Sequence, residues 1–449
     1  MKSFYKNILY FAILCGILSI LLPINILAQP SSMPQIKSEV AVLIDADTGQ
    51  VLYGKNQNAR IYPASTTKIM TALLALERGN LSDIITMSYD AVWSIGRDTS
   101  HVALDENEQL NLEQALYALA IESANDAANG IAELIGGSME NFSGMMTKRA
   151  KELGANNTNF TNAHGLQDSN HYTSAYDLAI IMAEAVKIPE FTRMFTTVTY
   201  SMPPTNRQPE TRTFNRKNSL VEGPYAYEGL LGEKTGWTGD SGYTFVAAAK
   251  RGGRTLVAAV IRSPDTISRW EDTTSLFDYG FEQFVSVIFE SAEFARERYF
   301  FELADGGRFE AKLVPKGDFS CLVLKSASKE EIEIEYVPYI EETTGKIGGK
   351  AIFSLFGEIL GEAELAISYN SGGIDLRSLP VGDASEEDKK NDENQNPATS
   401  AFSAIYRVIS IILQIIGFGG IIFMILYIRQ YLHVQKIKKQ RRGYQKNKK

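Results

Sequence analysis

The tetrad Ser65-Thr66-Thr67-Lys68, which leads directly into an apolar run at residues 69 to 76, is the feature that most constrains the fold. This run is too apolar for a helix with one face in water, so it predicts a buried helix, entered through Pro63. At a spacing of three residues, Ser65 and Lys68 project from one face of its first turn, near the positive helix end. A hydroxyl beside an amine in such a place is typical of a serine nucleophile with a lysine base.

Two further motifs follow along the chain. Ser123-Ala124-Asn125 interrupts a helical pattern that runs from Leu112 to about Ile135, and its short polar residues favour a turn that exposes their side chains. Lys234-Thr235-Gly236 lies in a strand-like segment that leads into a sheet edge. The three motifs therefore occupy a helix start, a turn between helices and a strand.

Each motif alone is weak evidence, because similar patterns occur elsewhere in the chain. Residues 326 to 329 also fit the serine–lysine pattern, and residues 368 to 370 fit the serine–asparagine pattern. Both lie among short β-like runs, and no third motif follows them. We prefer the first set because each of its members has the structural context that its chemistry needs.

The order of helical and strand-like segments predicts an α/β (α+β) catalytic region over residues 36 to 285. A β-hairpin is expected at residues 38 to 54, and strands are expected near residues 243 to 249 and 255 to 261. The helical patterns lie between the first and last of these strands. We therefore expect an antiparallel sheet with a helical insertion, followed by a small all-β domain at residues 290 to 378.

The motif set resembles the low-molecular-mass penicillin-binding proteins that are D-alanyl-D-alanine carboxypeptidases. This resemblance implies the penicillin-recognising serine transpeptidase/β-lactamase-like fold and the removal of the terminal D-alanine from peptidoglycan stem peptides. It also implies a Ser65 acyl-enzyme and inhibition by β-lactam antibiotics. The stem peptide is thus the expected partner.

The chemistry of the motif residues agrees with these expectations. Lys68 can act as a base if burial and the cation of Lys234 lower its pKa. Ser123 can relay a proton to the leaving amine, and Asn125 can bond the substrate backbone or hold Lys68. The cation of Lys234 suits a substrate carboxylate. We expect a hydroxyl contact from Thr235 and a close backbone approach at Gly236.

The resemblance implies two further roles. The family pattern forms an oxyanion hole from the backbone amides of Ser65 and Trp237. Arg269, which precedes the run Tyr279-Gly280-Phe281, looks like a further carboxylate-binding arginine of the family. A solvated surface charge is an equally good interpretation of Arg269.

Three other functions remain open at this point. A β-lactamase needs efficient deacylation, and no Glu-x-x-Leu-Asn-like segment lies between Ser123 and Lys234. A transpeptidase would release the same acyl-enzyme with an amine in place of water. A non-catalytic wall scaffold is the third alternative, but it would have no reason to keep Ser65, Lys68, Ser123 and Lys234 together.

A histidine-dependent triad and a metal site are both disfavoured. The chain has four histidines, and no Gly-x-Ser-x-Gly elbow surrounds Ser65. The histidines also lack the close carboxylate spacing of a zinc motif. We expect no metal and no cofactor.

The two ends of the chain predict export and membrane anchoring. Residues 1 to 28 have the features of a signal peptide, and residues 381 to 400 those of a flexible linker. Residues 408 to 428 carry no charge and have the length of one transmembrane helix. Close relatives often end in an interfacial amphipathic helix instead.

The charge distribution predicts the topology of this anchor. Residues 429 to 449 carry nine Lys or Arg and no acidic residue, so this tail should be cytoplasmic and the catalytic region extracytoplasmic. The net charge of −8 makes the rest of the chain acidic, which disfavours a nucleic-acid partner. With Cys15 in the expected signal peptide, Cys321 has no partner for a disulfide.

Overall fold

The computed structural model describes residues 33–217, 220–302, 308–340 and 347–369. The strands in these ranges are β1 (Val40–Asp45), β2 (Val51–Lys55), β3 (Ile84–Thr86), β4 (Gln109–Asn111), β5 (Thr199–Met202), β6 (Arg212–Asn215), β7 (Leu230–Thr238), β8 (Gly242–Arg251), β9 (Arg254–Ser263), β10 (Phe284–Phe289), β11 (Arg296–Glu302), β12 (Arg308–Pro315), β13 (Phe319–Leu324), β14 (Ile332–Ile340), β15 (Ile347–Leu355) and β16 (Glu358–Tyr369). The α-helices are α1 (Lys68–Arg78), α2 (Tyr89–Trp93), α3 (Leu112–Ile121), α4 (Asn125–Gly136), α5 (Met139–Glu152), α6 (Ala175–Ala185), α7 (Pro189–Thr196), α8 (Thr266–Gln283) and α9 (Ser291–Phe294).

A five-stranded antiparallel sheet in the order β2-β1-β9-β8-β7 forms the centre of the catalytic region. Val42 and Ile44 of β1 belong to one hydrophobic core with the inserted helices, whereas Ala41 and Leu43 belong to a second core with α8. Side chains alternate across a strand, so both faces of this sheet are covered. This order leaves β7 at an edge.

The inserted segment between β2 and β7 contains α1 to α7 and two small two-stranded antiparallel sheets, β3–β4 and β5–β6. Short polar side chains begin several of its helices: Asn111 forms a capping box at α3, and Ser138 and Ser174 cap α5 and α6. Helix α1 is buried from Lys68 to Ala75. The predicted buried helix and the predicted antiparallel sheet with a helical insertion are confirmed.

The residues after α8 build two further sheets. One is the antiparallel pair β10–β13, and the other has the order β11-β12-β16-β15-β14. Their shared core is rich in aromatic rings, and Phe353 contacts the rings of both Phe289 and Phe294. The chain limits expected for the β domain, 290 and 378, stay a prediction, and the described residues end at Tyr369.

One buried glutamine ties this β region to the catalytic region. The Gln50 side chain donates from Nε2 to the Leu322 carbonyl at 2.6 Å and accepts from the Leu322 backbone N–H at 2.8 Å. The amide thereby pairs with a peptide group of β13 as a neighbouring strand would. Cys321, beside it, is a buried free thiol whose pKa burial raises to about 11.

Several elements were not expected from the sequence, among them α2, α7, α8 and the strand pairs β3–β4 and β5–β6. The signal peptide (1 to 28), the linker (381 to 400), the span (408 to 428) and the basic tail (429 to 449) lie outside the described residues. In the part of the chain that the structure describes, no helix combines the length and apolarity needed to cross a bilayer.

Candidate active site

Ser65 and Lys68 lie on a tight turn at the start of α1. Residues Ala64–Thr67 form a 3₁₀-helix, and the α-helix begins only at Lys68. Because a 3₁₀-helix has three residues per turn, side chains three positions apart are eclipsed. The serine and the lysine are therefore aligned more closely than the α-helical turn expected from the sequence would place them.

The backbone before Ser65 is held in a strained conformation. Ala64 has a φ of 51°, which is uncommon for a residue with a side chain. Gly165 packs against it so closely that a Cβ there would lie 1.8 Å from the Ala64 carbonyl oxygen. The loop at residues 162 to 166 thus braces the serine turn, and no bulkier residue fits at Gly165.

Lys68 is completely buried and its amine has three neighbours. Nζ lies 2.7 Å from Asn125 Oδ1, 2.7 Å from the His164 carbonyl oxygen and 3.2 Å from Ser65 Oγ. A neutral amine has two N–H donors and one lone pair. In the neutral form the two shorter contacts use both donors, and the lone pair is left for the Ser65 hydroxyl, whereas a protonated amine would donate to Ser65 Oγ.

The electrostatic surroundings favour this neutral form. Burial lowers the pKa of Lys68 well below its ordinary value, and the charge of Lys234 lowers it further. Asp126 acts in the opposite direction, but its carboxylate accepts the backbone N–H groups of Val102 and Leu104. Burial and the nearby charge of Lys234 thus both favour the neutral amine that a general base needs.

Ser123 and Asn125 occupy the break between α3 and α4, as the sequence predicted. Asn125 is the first residue of α4, and its backbone N–H donates to the Ser100 carbonyl at 2.9 Å. Ser123 has a φ of 59°, and its buried Oγ has no hydrogen-bond partner among the described residues. Such a hydroxyl is free to bond a substrate or to relay a proton.

Edge strand β7 brings the third motif against the serine turn. A Cβ on Gly236 would lie 2.9 Å from the Ser65 backbone nitrogen and 2.4 Å from Thr244 Oγ1. Only glycine permits this approach. Trp237, the next residue, is 61% exposed, so its ring points away from the core.

Four basic residues, Arg216, Lys217, Lys234 and Arg269, line a small pocket beside Ser123. The pocket has a volume of about 200 Å³ and is lined by Ala120, Ile121, Glu122, Ser123, Asn215, Arg216, Lys217, Lys234, Thr235 and Arg269. Lys234 is 3% exposed, and its Nζ donates to the Thr235 carbonyl at 3.0 Å. Burial above all, together with the charges of Arg216 and Arg269, lowers the pKa of Lys234 to about 7, and Glu233 acts in the opposite direction.

Arg269 belongs to this pocket and is not a solvated surface charge. It is 8% exposed, and its guanidinium lies over the ring of Tyr243 at 5.6 Å. The buried Nε has no hydrogen-bond partner in the described ranges. Helix α8, which the sequence analysis did not identify, carries Arg269 to a place where an anion would complete its bonding.

Sequence analysis missed Arg216 and Glu233. Arg216 is nearly buried and donates from Nε to the Thr197 carbonyl at 2.9 Å and from Nη2 to the Met194 carbonyl at 3.1 Å. Glu233 is fully buried and lies 3.5 Å from Arg216. A charged residue inside a strand that is otherwise buried was the available signal for Glu233, whereas Arg216 belongs to none of the three motifs.

The histidines in the described residues act as backbone acceptors. Nδ1 of His101, of His164 and of His171 each accepts a backbone N–H. Burial lowers the pKa of His164 to about 3 and that of His171 to about 4. The Nδ1 lone pairs of all three rings are thus occupied by backbone donors.

The alternative serine–lysine pattern in the β region lacks this geometry. Ser326 is exposed, and the Lys329 amine donates to Glu293 at 2.6 Å. Asn370 of the other alternative pattern lies outside the described residues. The fold therefore brings together the three motifs that begin at Ser65, Ser123 and Lys234.

Comparison with known proteins agrees with this geometry. The sequence model of the family described as D-alanyl-D-alanine carboxypeptidase matches residues 27–265, slightly more than half of the chain. The chain is 39% identical over 253 residues to the D-alanyl-D-alanine carboxypeptidase DacF of Bacillus subtilis, a match that covers 55% of the chain and 63% of that protein. It is 29% identical to DacA of Haemophilus influenzae, covering 76% of the chain and 86% of that protein.

Solved structures of this class are also similar. A DD-transpeptidase from Streptomyces matches with a TM-score of 0.51 at 30% identity, covering 55% of the chain and 98% of that protein. A D-alanyl-D-alanine carboxypeptidase from Mycobacterium tuberculosis matches with a TM-score of 0.51 at 29% identity. This match covers 56% of the chain and 94% of that protein. The fold is thus that of the penicillin-recognising serine peptidases, and the chain belongs to the D-alanyl-D-alanine carboxypeptidase family.

Proposed function

We propose that the chain is a serine-type D-alanyl-D-alanine carboxypeptidase that trims peptidoglycan stem peptides through an acyl-enzyme on Ser65. The observation that carries this proposal is the contact between Lys68 Nζ and Ser65 Oγ at 3.2 Å, with both remaining amine hydrogens already bonded. The family membership of the chain supports the choice of substrate.

In the first step, Lys68 accepts the proton of Ser65 as Oγ attacks the carbonyl carbon between the two D-alanines. The backbone amides of Ser65 and Trp237 are the donors proposed for the oxyanion, and the close packing at Gly236 keeps the two segments adjacent. Ser123 relays this proton from Lys68 to the departing amine, so Lys68 becomes neutral again. D-Alanine leaves, and the shortened peptide stays on Ser65 as an ester.

The substrate's terminal carboxylate orients this attack. Lys234 and Arg269 line the pocket next to Ser123, and the Thr235 hydroxyl can complete the contacts. Asn125 is already bonded to Lys68, so holding that amine is its proposed role rather than binding the peptide. A β-lactam carries an amide and a carboxylate in a related arrangement, which is the proposed basis of inhibition.

Water releases the peptide in the second step. An amine acceptor would give transpeptidation instead, the activity in the name of the Streptomyces protein. The β-lactamase alternative requires a carboxylate base for rapid deacylation. Glu122 lines the pocket, but its Oε1 accepts the Asn215 backbone N–H at 3.0 Å, so this carboxylate is engaged in holding the β6 segment.

Product analysis of the purified full-length protein tests the proposal. A peptide ending in D-alanyl-D-alanine should lose one D-alanine, and labelled penicillin should attach covalently to Ser65. The Ser65→Ala variant should lose both reactions and keep its thermal melting curve. Full labelling of that variant would exclude Ser65 as the nucleophile. Transfer of the peptide to an added amine as the main product would indicate a transpeptidase. Rapid turnover of a cephalosporin would indicate a β-lactamase.

A second prediction concerns the glycine of β7. Gly236→Ala should lower the rate of penicillin labelling by at least about 100-fold, because misplacing reacting groups by about 1 Å costs a factor of that order. The matched control is Gly239→Ala, since a Cβ there meets nothing within 4 Å. Equal labelling rates in the two variants would contradict the close approach of β7 to Ser65.

We also propose that the chain is a single-pass membrane protein with its catalytic region outside the cytoplasm. The support is the sequence of residues 408 to 428, which at ~1.5 Å per helical residue would span roughly 31 Å, and the nine basic residues behind them. These residues lie outside the described part of the chain.

Extraction and proteolysis test this anchor. Alkaline carbonate should leave the full-length chain in the membrane, and a protease added outside intact cells should not remove residues 436 to 449. Release by carbonate or by high salt would indicate an interfacial helix instead. Loss of the basic tail to external protease would reverse the proposed topology.

A further inference from the structure

The structure assigns Thr71 as a positioning residue that orients the amine of Lys68 toward Ser65. This inference rests on the proposed function, in which Lys68 accepts the Ser65 proton. Thr71 is fully buried on α1, one turn after Lys68, and it does not line the substrate pocket. It acts through the loop at residues 162 to 166, which it holds against α1.

Thr71 and Lys68 bond two successive carbonyl groups of this loop. Thr71 Oγ1 donates to the Ala163 carbonyl at 2.6 Å, and Lys68 Nζ lies 2.7 Å from the His164 carbonyl oxygen. Residues three apart on a helix share one face, so both bonds leave α1 on the same side. The planar peptide that carries the Ala163 carbonyl also ends at the Cα of His164. The Thr71 bond therefore fixes where His164 begins.

Internal hydrogen bonds make the loop move as a unit. Asn162 Oδ1 accepts the Gly165 backbone N–H at 2.7 Å, and Asn162 Nδ2 donates to the Leu166 carbonyl at 3.0 Å. A loop closed on itself in this way transmits a displacement at Ala163 to His164. The bond from Thr71 is thus a tie between α1 and the loop that uses no catalytic side chain.

The His164 carbonyl sets the direction of the amine. In neutral Lys68 this carbonyl receives one hydrogen and Asn125 the other, which leaves the lone pair for Ser65. When the carbonyl moves, the amine can rotate about its terminal C–N bond and the lone pair turns away from the serine. Lys234 and Arg269 come from β7 and α8, so the carboxylate pocket does not depend on this loop.

Penicillin labelling of the full-length Thr71→Val variant tests the inference. Valine puts a methyl group where the hydroxyl was, and carbon–oxygen contacts are about 3.3–3.6 Å long, so the Ala163 carbonyl must move by about 1 Å. The limiting first-order labelling rate should fall at least about tenfold, because such a displacement can cost up to about 100-fold. The penicillin concentration at half-maximal rate should not change. Thr71→Ser, which keeps the hydroxyl, should label like wild type.

Two further variants separate positioning from stability. Thr158→Val is the matched control, because Thr158 is also buried and its Oγ1 donates to Asp177 at 2.6 Å, in contact with no residue of the site. It should lower the melting temperature and keep the limiting rate. Thr71→Ala removes the hydroxyl without adding a methyl group at its place. It should also lower the limiting rate, and it decides the matter if Thr71→Val does not fold.

The outcomes distinguish the inference from the proposed function. Absence of Ser65 labelling in wild type would overturn the proposed function itself. Normal labelling of wild type together with an unchanged limiting rate in Thr71→Val would overturn only the role of Thr71. A smaller labelled fraction that reacts at the wild-type rate would show that Thr71 serves stability alone and would also overturn the inference. An equal fall in rate in Thr158→Val would do the same.

Discussion

The burial of one amine is the constraint on which the rest of the structure depends. Lys68 lies at the start of a helix that is buried along most of its length, and an ammonium ion there would be costly without several acceptors. The protein supplies two, the Asn125 side chain and the His164 carbonyl, which suffice for the two hydrogens of a neutral amine. The lone pair of the neutral amine then faces Ser65. Activation of the serine thus follows from how the lysine is accommodated.

The larger architecture supports this arrangement from opposite sides. The helical insertion brings the α3–α4 break and the 162-to-166 loop to the lysine, while the central sheet presents its edge strand β7 to the serine turn. Helix α8 crosses the other face of the sheet and contributes Arg269. The catalytic groups and the carboxylate-binding groups therefore come from different layers. Their separation lets a neutral lysine and a charged pocket exist a short distance apart.

Much of this site could be predicted from sequence because its chemistry is concentrated in short motifs. Ser65, Lys68, Ser123 and Asn125 each needed only a local context, a helix start or a turn, which hydrophobic periodicity reveals. The sheet could be predicted equally well, because apolar residues alternate along its strands. The 3₁₀ form of the first turn was not, because the ends of helices are poorly determined by local sequence.

The remaining features depend on tertiary contacts. Helix α8 contains Gly280 and many aromatic and β-branched residues, so its helical preference is weak until it packs on Leu43 and Leu256. Arg269 was ambiguous for that reason, since an arginine on an unidentified helix could face water or the pocket. Arg216 and Glu233 belong to none of the motifs. Their significance appears only when β6, β7 and α8 are brought together.

The most direct test of the account is the pH dependence of acylation at saturating labelled penicillin, where binding no longer limits the rate. The neutral form of Lys68 is the base, so the first-order rate constant should rise as pH rises through the pKa of Lys68. Because burial and Lys234 lower that pKa, the rise should be complete well below pH 10.5, the ordinary value for lysine. A rate that instead continues to rise with a midpoint near 10.5 would show that Lys68 is protonated in the resting enzyme and would contradict the central claim.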